Sequence, residues 1–248
     1  MNKTKIDWAD STWNPVTGCF HDCEYCYARR MANRFGKELP DRSGYSENRL
    51  HCLDSRIDGN PYPYLFEPTL HAYRLDDPMN WTKPRTIFVC SMADLFGKWV
   101  PDEWIEQVFE ACAKAPQHRY LFLTKNPKRY VDLANAGKLP QKDNMWYGTT
   151  VTDPDTPFFW ADNFYEYNTF LSIEPLLARF PADDHFPIEH VNWIIIGAES
   201  GNRAGKVTPK KEWIDEICQA AGNDTAVFFK ESLIPIMGKE NMRCEFPW

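Results

Sequence analysis

Short apolar runs alternating with amphipathic stretches most constrain what this chain can fold into. From residue 85 the pattern is regular. Thr86–Cys90 reads as a buried strand. Residues 101–114 read as a helix, with Trp104, Ile105, Val108, Phe109 and Cys112 at helical spacing and Pro101 and acids at its start. Further strands are expected over 119–124, 145–151, 169–173, 191–196 and 226–229, and helices over 127–135, 155–166 and 210–221, the last stopped by Gly222. Strands that alternate with helices pair in parallel. Six or seven such units in 248 residues predict an α/β fold, a parallel (β/α) barrel that is either partial, with about six strands, or nearly closed. No Gly-x-Gly-x-x-Gly and no phosphate-binding P-loop occurs, which argues against a doubly wound nucleotide-binding sheet. Before residue 85 the pattern is weaker. Residues 12–16 read as a short first strand, confined by Pro15 to an edge or a strand end, and 27–35 as a helix. Residues 36–84 read as an irregular insertion with at most one short helix near 66–73. No linker divides the chain, so 1–248 is expected to be a single domain.

Between the first strand and the first helix lies the stretch densest in chemistry, Gly18-Cys19-Phe20-His21-Asp22-Cys23-Glu24-Tyr25-Cys26. Its cysteines have the spacing C-x3-C-x2-C. Thiolates are soft, polarisable ligands suited to iron–sulfur clusters. Three of them in one loop can hold three irons of a [4Fe–4S] cube and leave the fourth iron open for a non-protein ligand. Zinc bound by the three cysteines and His21 is the alternative; against it, His21 lies between two of the cysteines and no second C-x2-C pair follows. The other five cysteines are scattered, and Cys90, Cys112 and Cys218 fall in apolar patterns that read as core.

The cysteine spacing, with Tyr25 just before the last cysteine, resembles the signature of the radical S-adenosylmethionine (SAM) superfamily. That resemblance implies a [4Fe–4S] cluster on Cys19, Cys23 and Cys26 whose open iron chelates SAM. Reduction then cleaves SAM to a 5′-deoxyadenosyl radical that abstracts hydrogen. It implies too that Tyr25 packs against SAM and that an external donor of the flavodoxin or ferredoxin type supplies the electron.

In (β/α) barrels chemistry gathers at the C-terminal ends of the strands. Here those ends carry Ser91 and Asp94, then Lys125, Thr149, Glu174, Gly197 and Glu199, and finally Lys230. Isolated charges there would be ordinary solvated termini; together they read as a ring. The carboxylates suit the SAM ammonium and ribose hydroxyls, and the lysines suit a carboxylate or an anionic substrate. Tyr25, Ser91, Asp94, Thr149, Gly197 and Glu199 are therefore the candidate cofactor contacts, and Lys125, Glu174 and Lys230 the candidate catalytic residues. The arginines of the helix over 27–35, Arg29, Arg30 and Arg34, read either as a solvated basic face or as an anion contact.

Segments across the chain, Thr-Trp-Asn-Pro-Val-Thr-Gly-Cys (12–19), Cys-Tyr-Ala (26–28), Ser-Met-Ala-Asp-Leu-Phe (91–96), Leu-Thr-Lys (123–125), Glu-Pro-Leu-Leu (174–177), Gly-Ala-Glu-Ser-Gly (197–201) and Phe-Phe-Lys (228–230), resemble a phage-associated three-cysteine-motif family. That family is assigned to the radical SAM superfamily and occurs in bacteriophages and bacteria. The resemblance points to a nucleobase or nucleotide substrate, with DNA modification the leading expectation. A DNA lesion lyase is one alternative, and a non-catalytic, metal-braced interaction module is another. The net charge of −7 opposes extended DNA binding, although a local basic groove remains compatible with it. No apolar run reaches membrane-spanning length and the start lacks a signal-peptide core, so a cytoplasmic protein with reduced thiols is expected.

Overall fold

β-branched and aromatic residues build the strands of the main sheet. β5 (Thr86–Val89) and β9 (Trp193–Ile196) are buried at every position. The computed structural model describes residues 4–39, 48–156, 164, 166–180, 191–201 and 203–248. Seven parallel strands lie in the order β1 (Ser11–Trp13), β5, β6 (Arg119–Thr124), β7 (Met145–Thr150), β8 (Asn168–Ile173), β9 and β10 (Ala226–Phe229). The order follows the chain, as in an open (β/α) half-barrel, and the strand number among the described residues agrees with the six or seven units expected from the sequence. α2 (Asp102–Lys114), α3 (Lys128–Asn135) and α4 (Lys211–Ala221) cover the outer face. Their buried stripes, such as Ile105, Val108, Phe109 and Cys112 of α2, pack against Ile87, Val89, Tyr120 and Phe122.

The alternate residues point inward. Phe88, Leu121, Trp146, Phe170, Trp193, Ile195 and Phe228 fill the floor of the half-barrel, and Trp8, from the segment before β1, plugs it with its ring 4.7 Å from Phe88. Gly148 also faces inward, because a Cβ there would lie 2.3 Å from the Phe170 ring. At the far edge the tail folds back along β10. Phe229 N–H donates to the Arg243 carbonyl at 2.8 Å, Glu245 N–H donates to the Val227 carbonyl at 3.1 Å, and Trp248 packs on Trp146 and Trp193.

Two expectations change. The run 12–16 divides at Asn14-Pro15: β1 joins the main sheet, while β2 (Val16–Thr17) turns away into a second sheet. The insertion is not merely irregular. Its β3 (His51–Leu53) and β4 (Thr69–His71) complete that three-stranded sheet in the order β2-β4-β3, and short 3₁₀ turns follow at Ala72–Arg74 and Asp77–Asn80. Strands of two or three residues are too short to show a period. The helix expected over 155–166 falls mostly outside the described residues. Among the described residues no helix is long and apolar enough to cross a membrane.

Candidate active site

The cysteine loop leaves β2 and is pinned from both sides. Gly18 N–H donates to the Met92 carbonyl at 2.9 Å, and Cys19 N–H to the Phe66 carbonyl at 3.1 Å. Gly18 has φ +86°, and a Cβ there would lie 2.2 Å from the Glu67 carbonyl oxygen, so only glycine fits. The sulfurs of Cys19 and Cys26 accept the backbone N–H groups of His21 (3.5 Å) and Arg29 (3.4 Å), and Cys26 is the N-cap of α1 (Tyr27–Phe35). All three cysteines are free thiols, partly exposed. Burial pushes the Cys19 thiol up to about 12, and the Asp94 carboxylate and the thiols of Cys23 and Cys26 add to the effect.

Asp94, 5 % exposed, ties this loop to the barrel. Its Oδ1 accepts from Thr124 Oγ1 at 2.7 Å and Phe96 N–H at 3.0 Å; its Oδ2 accepts from Lys125 N–H at 2.9 Å and lies 2.7 Å from His21 Nε2. Four partners fill the capacity of a carboxylate. Asp94 thus ties the cysteine loop to the barrel while its side chain still borders the cavity. His21, the fourth ligand of the zinc alternative, is turned to Asp94 and packs edge-on to Trp99. Sequence reasoning missed the His21–Asp94 contact, since a separation of 73 positions along the chain leaves no local signal.

The opposite wall comes from the ends of β8, β9 and β10. Lys230 Nζ lies 2.5 Å from Glu174 Oε1, both side chains mostly buried. Gly197 makes room for this pair: a Cβ there would lie 3.0 Å from Lys230 Cδ and 3.1 Å from Glu174 Cγ. The close approach it permits is thus to these side chains. Glu199 is held by Arg203, whose Nε and Nη2 donate to its two oxygens at 2.7 and 2.9 Å, while Nη1 reaches Glu24 on the cysteine loop at 3.2 Å. The Arg203 hydrogen bonds hold the Glu199 carboxyl below its usual range. Arg203, which the sequence did not single out, clasps the two loops together.

Between the walls lies a cavity of about 520 Å³. Cys19, Cys23, Cys26, Tyr25, Ser91, Asp94, Lys125, Glu174, Glu199 and Lys230 all line it, so most of the residues expected from the sequence are brought together. Thr149 and Gly197 are not among its lining. Thr150 and Ser172 are, because Thr150 shares the inner face with Trp146 and Gly148. Ser91 donates its hydroxyl to Asn14 Oδ1 at 3.1 Å and accepts the Tyr27 hydroxyl at its carbonyl, at 2.6 Å. The Lys125 ammonium has no ion-pair partner among the described residues and lies 5.5 Å from the centre of the Tyr25 ring; burial lowers its pKa, opposed by the nearby Cys23 and Asp94. Among the described residues no three His, Cys, Asp or Glu side chains converge on a point that would take a single ion. Three soft donors around one cavity fit a polynuclear cluster, one cysteine to each iron, better than they fit zinc.

A family model described as a protein of unknown function, DUF5131, matches residues 3–233. The chain belongs to the DUF5131 family. No curated protein matches it by sequence. Among solved structures, a cysteine-to-serine variant of spore photoproduct lyase superposes with a TM-score of 0.53 at 11 % identity, covering 93 % of this chain and 81 % of that one. A second, described as a spore photoproduct lyase variant with bound AdoMet and dinucleoside spore photoproduct, gives 0.45 at 12 % identity, covering 89 % of this chain and 64 % of that one. The first likeness establishes that this DUF5131 chain has the partial (β/α) barrel of that lyase.

Proposed function

We propose that the chain is a radical SAM enzyme acting on a nucleobase or nucleotide. The observation that carries the reading is the C-x3-C-x2-C loop set at the C-terminal mouth of a half-barrel, with its three thiols turned into one cavity. Cys19, Cys23 and Cys26 would hold a [4Fe–4S] cluster. Such a cluster, when bound with SAM and reduced by an external flavodoxin- or ferredoxin-type donor, supplies a carbon-centred radical. The chain's own residues do the rest. His21 and Asp94 fix the loop, and the Trp8 floor closes the cavity against water from below. Lys125, Glu174, Lys230, Thr150 and Ser172 offer the polar groups that orient two ligands, and Tyr25 offers a flat face beside the last cysteine. The fold shared with spore photoproduct lyase, a radical SAM enzyme, supports this chemistry.

Modification of a base in phage DNA is the leading form of the reaction. The same likeness favours a second form, cleavage of a DNA lesion. Anaerobic reconstitution with iron and sulfide, followed by EPR with and without SAM, tests the proposal. A reduced-cluster signal that changes on adding SAM, with release of 5′-deoxyadenosine, is expected. A colourless, zinc-loaded protein would overturn it and favour the metal-braced interaction module. Incubation with lesion-bearing and intact oligonucleotides then separates the two substrate forms.

A further inference from the structure

Helix α1 carries an unusual outer surface. Only Ala28 and Ala32 of its nine residues are buried. Tyr27, Met31 and Phe35, spaced one turn apart, are 46, 42 and 47 % exposed, three of the seven large exposed hydrophobics among the described residues. Arg30 and Arg34 stand beside them at the same spacing, and Lys37 follows the helix. None of these three cations makes an ion pair among the described residues, whereas the neighbouring acids Asp22 and Glu24 are already paired with Arg29 and Arg203. The face is therefore a local cationic stripe on a chain of net charge −7.

The stripe is continuous with the cavity. Tyr27 lines the cavity itself, and a Cβ at Gly201 would lie 3.8 Å from the Arg30 guanidinium, which places Arg30 beside the rim loop that carries Glu199 and Ser200. From there Arg34, with its guanidinium 5.3 Å from the centre of the Phe35 ring, and Lys37 lead away from the mouth. One helical turn is a rise of about 5.4 Å, a step comparable to that between successive phosphates of an extended strand. Arg30 and Arg34 at that step, with the exposed Tyr27 and Phe35 rings flanking them, are the combination that holds single strands: phosphates pair with the cations and unstacked bases lie on the rings.

We propose that this face of α1 docks a single-stranded polynucleotide, so that the substrate is a base within a strand whose flanking phosphates meet Arg30, Arg34 and Lys37. The inference deepens the reading of the cavity as a nucleobase site and rests on it only for the identity of the reacting group. The test is fluorescence anisotropy of a labelled single-stranded DNA oligonucleotide with the reconstituted protein over a salt series. The triple variant R30A/R34A/K37A should weaken binding on the order of tenfold at low salt and reduce the slope of log K against log salt by about 2. R30K/R34K should keep the slope, and Phe35→Ser should weaken binding without changing it.

Equal affinity and slope in the triple variant and the parent would overturn the proposal. So would a triple variant that binds the strand normally yet accepts electrons slowly from an acidic flavodoxin-type donor, since the face would then belong to a protein partner. Strand binding of the expected kind without any SAM cleavage would sink the proposed chemistry and leave the docking face standing. SAM cleavage without strand binding would do the reverse.

Discussion

Asp94 shows how much of this site depends on single side chains that tie distant segments together. Two of its four partners are backbone N–H groups, so Asp94→Asn must turn its amide donors toward other donors. A loss of about 2–3 kcal/mol in urea unfolding is expected, with less iron retained per chain after reconstitution. Normal iron content in that variant would mean that the loop holds its shape without the node. His71 makes a different prediction. It is fully buried, with Nε2 2.8 Å from Thr17 Oγ1. Burial, reinforced by Arg74, lowers its pKa from 6.5 to about 3. The unfolded chain takes up this proton near pH 6.5 and the native state does not until far lower pH. Stability therefore declines as pH falls below about 6.5, by about 1.4 kcal/mol per unit for this group. Urea midpoints measured from pH 8 to 5 should show the decline, and His71→Gln should flatten it; an unchanged profile would assign the effect elsewhere. That the three cysteines, Glu174 and Lys230 gather at one end of the sheet was legible in the sequence, because loop chemistry and strand ends are local signals; the ion pair between Glu174 and Lys230 was not. Asp94 was legible as a candidate but not as an anchor, and Arg203 not as a clasp, because His21 lies 73 positions from Asp94 and Glu24 lies 179 from Arg203 along the chain.

At the scale of elements, the cysteine loop owes its path to a glycine. Gly18→Ala would drive a methyl into the Glu67 carbonyl from a backbone conformation that disfavours side chains. It should cost more than about 2 kcal/mol and loosen the loop, seen as faster reaction of Cys19 and Cys23 with a thiol reagent in the apo protein. Arg203→Ala should release the clasp between the Glu199 loop and Glu24, detected as new proteolytic cleavage near residue 200 with little change in overall unfolding. The strands of the half-barrel were readable because each is a continuous apolar run bounded by helices. The exchange of Thr149 for Thr150 in the cavity was readable too, since Trp146, Gly148 and Thr150 share one parity. The small sheet was not. β2, β3 and β4 have two or three residues each, amid prolines, and the contacts that pair them are long-range.

For the molecule as a whole, an open half-barrel leaves two strand edges, and the chain covers one of them with its own tail. Residues 243–245 pair with β10, and Trp248 closes the floor beneath Trp146 and Trp193. Removing 243–248 should lower the melting temperature and promote self-association through the bared edge, checked by calorimetry and light scattering. A truncated chain that stays monomeric and equally stable would show that the edge needs no cover. The anchoring of the cysteine loop carries a further consequence. The bonds that pin it run from Gly18 to Met92, from Cys19 to Phe66 and from His21 to Asp94. Sewn to three separate segments, the loop moves only if they move with it, so a strain felt at one seam is passed to the other two.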